Sequence, residues 1–265
     1  MKKIPVLIVI PHGGYRVPEE LAEFAAVEDS DILLSADTCA NDLFCADDLC
    51  AAVLNTHISR LFVDVDRAPL DIPPKTPDGV IKTETVFGRE IFPEGVFPDE
   101  IALTGLLKRY YFPFHSTLKK IRTSGDIQLI LECHTVHAVG PKHAYDKNRP
   151  RPVISLQNTI EKDGKIIETA PLETVQEILA AFKKSLSGEE AADSGSFRIS
   201  DIPSQGYLMQ KHSGTIPYVR LNLSRGLFLN ESYFNYDYGK IDQIRIDELR
   251  KKIKTAITRF GGKVF

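Results

Sequence analysis

The chain has 265 residues, of which 43% are hydrophobic and 26% charged, and its 33 basic and 36 acidic side chains leave a formal net charge of -3. This composition is that of an ordinary globular protein and excludes fibrous, disordered and membrane-spanning classes. The charge balance gives no electrostatic case for nucleic acid, and no apolar run is long enough to suggest a membrane protein, so we expect neither nucleic acid nor a membrane as a partner. We predict one domain over residues 1–265, with no export signal and therefore cytoplasmic, and leave the oligomeric state open.

The first half of the chain alternates apolar strand patterns with helical ones. Val6–Ile10 is a continuous apolar run rich in β-branched residues, typical of a strand buried on both faces. Ala36–Leu54 has helical apolar spacing without Gly or Pro, and His57–Asp66 alternates like a strand. Residues 67–97 contain much of the Pro and Gly and are predicted as a long irregular segment, a length that often serves function.

The second half continues the alternation. Asp99–Thr123 is predicted as a long helix bent near Pro113, and Asp126–Leu131 as a buried strand. The remaining predicted strands and helices are Val153–Gln157, Tyr218–Leu223, Pro171–Ser187 and Tyr238–Arg259. This order favours a three-layer α/β sandwich with a mostly parallel, mixed central sheet, in which strands from 153 to 168 could pair antiparallel.

Two predicted strands each run into a histidine, His12 and His134. Because the carboxyl ends of parallel strands meet at one edge of a sheet, we expect the two imidazoles to lie close together. With a carboxylate from Asp37 or Asp42 they would form a three-ligand set with an open fourth position, which suits catalytic zinc. The alternatives are structural histidines, and an Asp37 that only stabilises a helix N-terminus.

Five segments, in chain order, resemble motifs of the N-formylglutamate amidohydrolase family. These segments are Ile8–Gly14, Ser59–Arg67, Tyr110–His115, Leu131–Val136 and Pro217–Asn230. The resemblance implies a fold like that of the zinc carboxypeptidases and the phosphorylase/hydrolase-like proteins. It also implies one zinc ion as cofactor and hydrolysis of an amide on a small carboxylate-bearing substrate such as N-formylglutamate.

Carried over residue by residue, the resemblance makes His12, Asp37 and His134 the zinc ligands. Arginines are expected to bind the substrate carboxylate, because a guanidinium group matches a carboxylate with two parallel hydrogen bonds. The candidate substrate-binding residues are Arg60, Arg67, Arg225, Tyr207 and His137. For Arg60 and Arg67 a structural ion pair with Asp64 or Asp66 is the alternative.

One position departs from the family pattern. Asn222 stands where the late motif carries a glutamate that acts as general base, and an amide cannot accept and return a proton near neutral pH. Glu132 and Glu231 are the nearest carboxylates by motif, so Glu132, Asn222 and Glu231 are the candidate catalytic positions. Three functions stay open: a zinc-dependent amidohydrolase, a weak or inactive relative that binds the substrate, and an intracellular N-acetylmuramoyl-L-alanine-type amidase.

Overall fold

The structure is a computed structural model that describes residues 3–141, 144, 146–189, 197–235 and 238–265. Strands in these ranges are β1 (Ile4–Ile10), β2 (Cys50–Asn55), β3 (Leu129–Val136), β4 (Ile154–Gln157), β5 (Thr159–Lys162), β6 (Lys165–Glu168), β7 (Phe197–Ile199), β8 (Tyr218–Ser224), β9 (Phe234–Asn235) and β10 (Lys240–Ile241). Helices are α1 (Asp29–Ser35), α2 (Ala40–Phe44), α3 (Glu100–Leu106), α4 (Phe112–Arg122), α5 (Leu172–Ser185), α6 (Tyr207–His212) and α7 (Gln243–Val264).

The central sheet has six strands in the order β2-β1-β3-β8-β4-β7. The first four are mutually parallel, β4 runs antiparallel to β8, and β7 runs parallel to β4. The predicted mostly parallel, mixed sheet is therefore confirmed. An antiparallel strand from the 153–168 region lies inside this sheet as β4, whereas β5 and β6 form a separate hairpin.

Helices and loops cover both faces of the sheet, which gives the three predicted layers. On one face the side chains of α2, α5 and α7 pack on Leu129, Leu131 and Cys133 of β3. On the other face α4, α6 and the segment 61–92 pack on Ile130. Because side chains alternate along a strand, Glu132 and His134 point to this second face, which changes from apolar to polar along β3.

Two predicted elements differ from the structure. Ala36–Leu54 is not one helix, since α2 ends at Phe44 and β2 follows as an edge strand paired with β1. His57–Asp66 forms turns closed by backbone bonds to Ser59, and its strand-like pairing within the described ranges is a single bridge between Ile58 and Arg16. Its apolar residues are buried in the second layer. Both segments are apolar enough for several conformations, and long-range packing selects one.

The predicted long helix is confirmed with an interruption. Asp99 caps α3 by accepting a hydrogen bond from the Ala102 N–H. A π-helical turn over Leu107–Tyr111 separates α3 from α4, directly before Pro113, whose ring nitrogen cannot donate to the preceding turn. None of the helices in the described ranges is long and apolar enough to cross a bilayer.

Candidate metal centre and the neighbouring cleft

The three predicted ligands lie together in a buried cluster. One ligand atom from each of His12, Asp37 and His134 lies within 4.8 Å of the others. The Nδ1 atom of His134 is 2.7 Å from Asp37 Oδ2, and the Nδ1 atom of His12 is 3.6 Å from the same oxygen. The imidazoles therefore converge on one carboxylate, as expected for side chains at one edge of a parallel sheet.

Backbone structure accounts for this convergence. His12 comes two residues after β1 ends, and Asp37 comes two residues after α1 ends. The Asp37 N–H donates to the His12 carbonyl at 2.9 Å, which joins the two segments directly. His134 lies inside β3, because this strand continues five residues beyond the predicted end at Leu131.

Each imidazole has a second carboxylate on its outer nitrogen. His12 Nε2 lies 2.7 Å from Asp64 Oδ1, and His134 Nε2 lies 2.7 Å from Glu132 Oε1. A carboxylate accepts the Nε2–H proton of each ring. Asp37 and Glu132 raise the pKa of the His134 imidazole against the effect of burial, so His134 donates from both nitrogens, and a bound metal ion would replace the proton on Nδ1. Among the described residues, the buried His12 Nδ1 has no hydrogen-bond partner. Two imidazole nitrogens and one carboxylate oxygen, one of them unpartnered, fit a divalent cation such as zinc.

Cations keep the two outer carboxylates ionised. Burial opposes ionisation of Asp64, but Lys82 at 3.0 Å, together with His12 and Arg60, holds the pKa of this carboxyl well below its usual range. Burial also opposes ionisation of Glu132. The charge of Arg220 outweighs this effect and, with hydrogen bonds from His134 and Tyr218, lowers the pKa of the Glu132 carboxyl to about 2. Both side chains are therefore anions that can orient an imidazole.

The two candidate catalytic glutamates lie in different environments. Glu132 is fully buried and accepts hydrogen bonds from His134 and Tyr218, so it can orient the His134 ring. Glu231 is exposed and lines a separate groove beside β9 and β10 that contains no residue of the cluster. Asn222 pairs in register with His134 across β3 and β8, and its amide donates to Ser155 Oγ at 3.3 Å.

The three predicted arginines have different environments. Arg60 is about one fifth exposed and lies 2.9 Å from Asp64 and 3.9 Å from Asp37. Arg67 is paired with Asp78 at the surface. Arg225 is buried and donates to the carbonyl groups of Leu34, Ala36 and Thr135, which flank Asp37 and His134. Because its donors are used in this way, Arg225 can position the ligand segments, and its contact with substrate stays a prediction.

Tyr207 and His137 also have protein partners. Tyr207 begins α6, packs its ring on His115 and accepts a hydrogen bond from Lys211. His137 lies 3.4 Å from Arg225, and burial together with Arg225 lowers the pKa of this imidazole to about 3. Neither residue lines a described cavity near the cluster.

A cleft of about 280 Å³ opens beside the cluster, over β8, β4 and β7. We call it the arginine cleft, because four arginines and two aspartates supply its charged lining. These residues are Arg67, Arg151, Arg198, Arg220, Asp66 and Asp146. Arg151 is paired with Asp146, whereas Arg220 lies 3.0 Å from Asp66 and 3.2 Å from Glu132. Arg67 is paired with Asp78, so Arg198 is the arginine of this lining that forms no ion pair in the described part of the chain. Its guanidinium group suits a ligand carboxylate.

Sequence reasoning did not select Arg220, Arg198 or Asp64 as functional residues. The signal for Arg220 was the alternation in β8, where Arg220 and Asn222 occupy the same face between the buried Val219 and Leu221. Arg198 carried no local signal, since it is exposed on the short edge strand β7.

Comparisons with known proteins agree with the resemblance in the motifs. Residues 4–229 match the model of the N-formylglutamate amidohydrolase family. An N-formylglutamate deformylase of Pseudomonas aeruginosa is 28% identical over 155 residues, which are 56% of this chain and 58% of that protein. The match thus spans less than two thirds of the relative.

Two solved structures share the fold. The crystal structure of N-formylglutamate amidohydrolase from Ralstonia eutropha JMP134 has a TM-score of 0.74 at 17% identity, with 100% of this chain and 95% of the other covered. A gene product of Agrobacterium tumefaciens has a TM-score of 0.60 at 16% identity, with coverage of 97% and 91%. On the family match and this shared fold, the chain belongs to the N-formylglutamate amidohydrolase family.

Proposed function

We propose that the protein is a zinc-dependent amidohydrolase that cleaves an N-acyl, formyl-type amide on a small carboxylate-bearing amino acid such as N-formylglutamate. The observation that carries this proposal is the buried cluster of His12, Asp37 and His134, with an unpartnered His12 Nδ1, next to the arginine cleft. Family membership supports the same class of reaction.

His12, Asp37 and His134 would hold the cation. When bound there, a divalent cation polarises an amide carbonyl and lowers the pKa of bound water to about 7. Asp64 and Glu132 keep the ligand imidazoles in the correct tautomer, and Arg225 fixes the backbone on both sides of the cluster.

Other side chains would bind and orient the substrate. The carboxylates of a glutamate-like group would lie in the arginine cleft, where Arg198 and Arg220 can donate hydrogen bonds. Arg60 faces the cluster near Asp37 and can donate to the scissile carbonyl oxygen. Asn222 can hydrogen-bond the amide but cannot transfer its proton.

The second candidate function is a binding protein that kept the pocket and lost its base. Asn222 favours it, because each carboxylate in contact with His12 or His134 among the described residues is already hydrogen-bonded to an imidazole: Asp37, Asp64 and Glu132. Tight binding of N-formylglutamate by the zinc-loaded protein without turnover would select this function over the hydrolase.

Metal analysis tests the proposal directly. Protein purified without chelator should contain about one zinc per chain, and His12→Ala and His134→Ala should each lose it, because a three-residue site cannot retain zinc with two ligands. The exposed His57 lies outside the cluster, so His57→Ala is the matched control and should keep the metal. Full zinc content in both cluster variants would refute the site.

The other expectations stay predictions. They are a single domain over residues 1–265, a cytoplasmic location and a small-molecule substrate as the partner. The muramoyl-type amidase is the weakest of the three functions, because a cleft of about 280 Å³ suits one amino acid better than a peptidoglycan fragment.

A further inference from the structure

One row of side chains crosses four strands of the central sheet, from the metal cluster to the sheet edge. His134 of β3 is in register with Asn222 of β8, which is in register with Ser155 of β4. Ser155 is in turn in register with Arg198 of β7. We call these four residues the polar row. Because residues in register on neighbouring strands point to the same face of a sheet, all four side chains lie on the face that carries the metal cluster.

The residues that flank the polar row along each strand confirm this orientation. On β8 and β4 they are buried in the core of the opposite face: Leu221, Leu223, Ile154 and Leu156. Phe197 and Ile199, which flank Arg198, pack against the same core. Asn222, Ser155 and Arg198 line the arginine cleft. The cleft therefore follows the row from the strand next to His134 to the edge strand β7.

Arg198 is exposed and available to a ligand. Within the cleft lining it is the arginine that forms neither an ion pair nor a hydrogen bond with another described residue. The hydrogen bond from Arg151 holds the pKa of the Asp146 carboxyl below its usual range, and the charge of Arg198 makes a smaller contribution. Asp146 is thus already held by Arg151 at 2.6 Å. The guanidinium group of Arg198 remains for a ligand carboxylate, which it can bind with two parallel hydrogen bonds.

The length of the polar row suits the side chain of a glutamate. Neighbouring strands lie about 4.8 Å apart, so the Cα atoms of His134 and Arg198 are about 14 Å apart. An extended arginine side chain covers about half of this distance, which leaves about 7 Å above Asn222 and Ser155. In N-formylglutamate, five bonds separate the formyl carbon from the carbon of the side-chain carboxylate, a length of about 6 Å when extended.

We propose that Arg198 is the specificity-determining residue that binds the side-chain carboxylate of the substrate. The proposal rests on the proposed function, in which the metal cluster holds the scissile amide and the arginine cleft takes the amino acid. The α-carboxylate is only three bonds from the formyl carbon, so Arg220, in the strand next to β3, is the nearer donor for it. Selection of an acidic side chain of glutamate length therefore depends on the far end of the polar row.

The test compares three ligands that differ in the side chain: N-formyl-L-glutamate, N-formyl-L-glutamine and N-formyl-L-aspartate. Glutamine replaces the carboxylate by an uncharged amide of the same shape, and aspartate is one methylene shorter. The readouts are Kd from calorimetry with zinc-loaded protein and kcat/KM for the compounds that are hydrolysed. We expect the native chain to prefer glutamate over glutamine about tenfold or more, the scale of a charge-assisted hydrogen bond, and to bind aspartate more weakly than glutamate. Equal affinity for glutamate and glutamine would overturn the proposal.

Arg198→Met removes the guanidinium group and keeps an unbranched side chain at an exposed position. In this variant the three ligands should bind alike, because only the affinity for the glutamate compound depends on the removed contact. Arg149 is an exposed arginine two positions before Arg151 and outside the cleft lining. Arg149→Met removes the same charge nearby and should keep the native preference. A native preference in Arg198→Met, or an equal loss in Arg149→Met, would also overturn the proposal.

The two proposals fail differently. If N-formylglutamate is hydrolysed and Arg198→Met keeps the native preference, the hydrolase stands and the role of Arg198 falls. If the preference in Kd depends on Arg198 but neither the native chain nor Asn222→Glu hydrolyses any compound, the role of Arg198 stands and the hydrolase falls.

Discussion

On the proposed function, Asn222 is the residue whose chemistry would most limit turnover. Its amide lies in register with His134 and lines the arginine cleft, so it is within reach of a substrate held there. Ser155 accepts its one described hydrogen bond. A side chain at this position can transfer a proton only if it is an acid or a base, and the carboxylates around the cluster are held by their own partners.

Replacing this amide by an acid should increase turnover. We expect Asn222→Glu to raise kcat for N-formylglutamate about 100-fold or more, since a positioned general base typically contributes about 10²–10⁴. The extra methylene has room, because the side chain already borders the cleft. Asn222→Gln has the same length without the acid and should not gain activity. An equal response of the two variants would show that the missing base does not limit the reaction.

Single residues also show what the sequence could and could not reveal about the site. His12 and His134 could be predicted, because a histidine next to an apolar strand is a local pattern. Asp64 and Arg220 could not, since Asp64 reaches His12 across 52 positions and Arg220 reaches Asp66 across 154. Such partners depend on how distant segments pack, and local sequence patterns do not reveal that packing.

At the scale of elements, two glycines are required by close packing rather than by flexibility. Gly14 follows His12 by two residues, and a Cβ atom on Gly14 would collide with the backbone carbonyl of His57. At the start of α6, a Cβ atom on Gly206 would collide with Arg220 Nη1 and lie 2.8 Å from Asp66 Oδ2. Asp66 also accepts the Leu208 N–H, so α6 and the Asp66–Arg220 pair are packed together.

Gly206→Ala should therefore disturb substrate binding while the metal is retained. The added methyl group displaces the Arg220 guanidinium, and we expect KM for an N-acylglutamate to rise about tenfold, the scale of one weakened charge-assisted hydrogen bond. Zinc content should stay at the native level, because the added methyl group meets Arg220 and Asp66 rather than a proposed ligand. Gly105 in α3 has open space around its Cβ position, so Gly105→Ala is the control. Unchanged KM in Gly206→Ala would remove Arg220 from the substrate site.

At the scale of the whole molecule, the architecture was more predictable than the sheet order. Apolar β-branched runs such as Val6–Ile10 identify buried strands, and helical segments between them imply a layered sheet. The order β2-β1-β3-β8-β4-β7 is not local, since β8 joins β3 to β4 from a distant part of the chain. The edge strand β2 was missed because its Cys, Ala and Leu residues also suit a helix.

Two buried histidines connect the helical layer to the segment that contains Asp64 and Asp66. His115 in α4 lies 2.8 Å from His212 in α6 and 3.0 Å from the Val65 carbonyl, between Asp64 and Asp66. The carbonyl can only accept, so His115 Nε2 donates to it, and His115 Nδ1 accepts from His212 Nε2. Burial lowers the pKa of both imidazoles to about 4. Both rings are therefore neutral near pH 7, as this pattern of hydrogen bonds requires.

This histidine pair should make folding stability depend on pH. An imidazole with a lowered pKa in the folded state binds its proton preferentially in the unfolded state, where its pKa is about 6.5. The contribution of the pair to stability is therefore complete above about pH 6.5 and falls as the pH drops toward 4.

His212→Gln keeps an N–H donor at the position of Nε2 but does not titrate. We expect urea unfolding to show about 1 kcal/mol less loss for this variant between pH 7 and pH 5, after allowance for partial solvent access. The carboxyl groups of Asp37, Asp64 and Glu132 have lowered pKa values, so their protonation reduces stability only at more acidic pH. This reduction is the same in the native protein and in His212→Gln. Parallel pH profiles for the two proteins would contradict a neutral, buried His115–His212 pair.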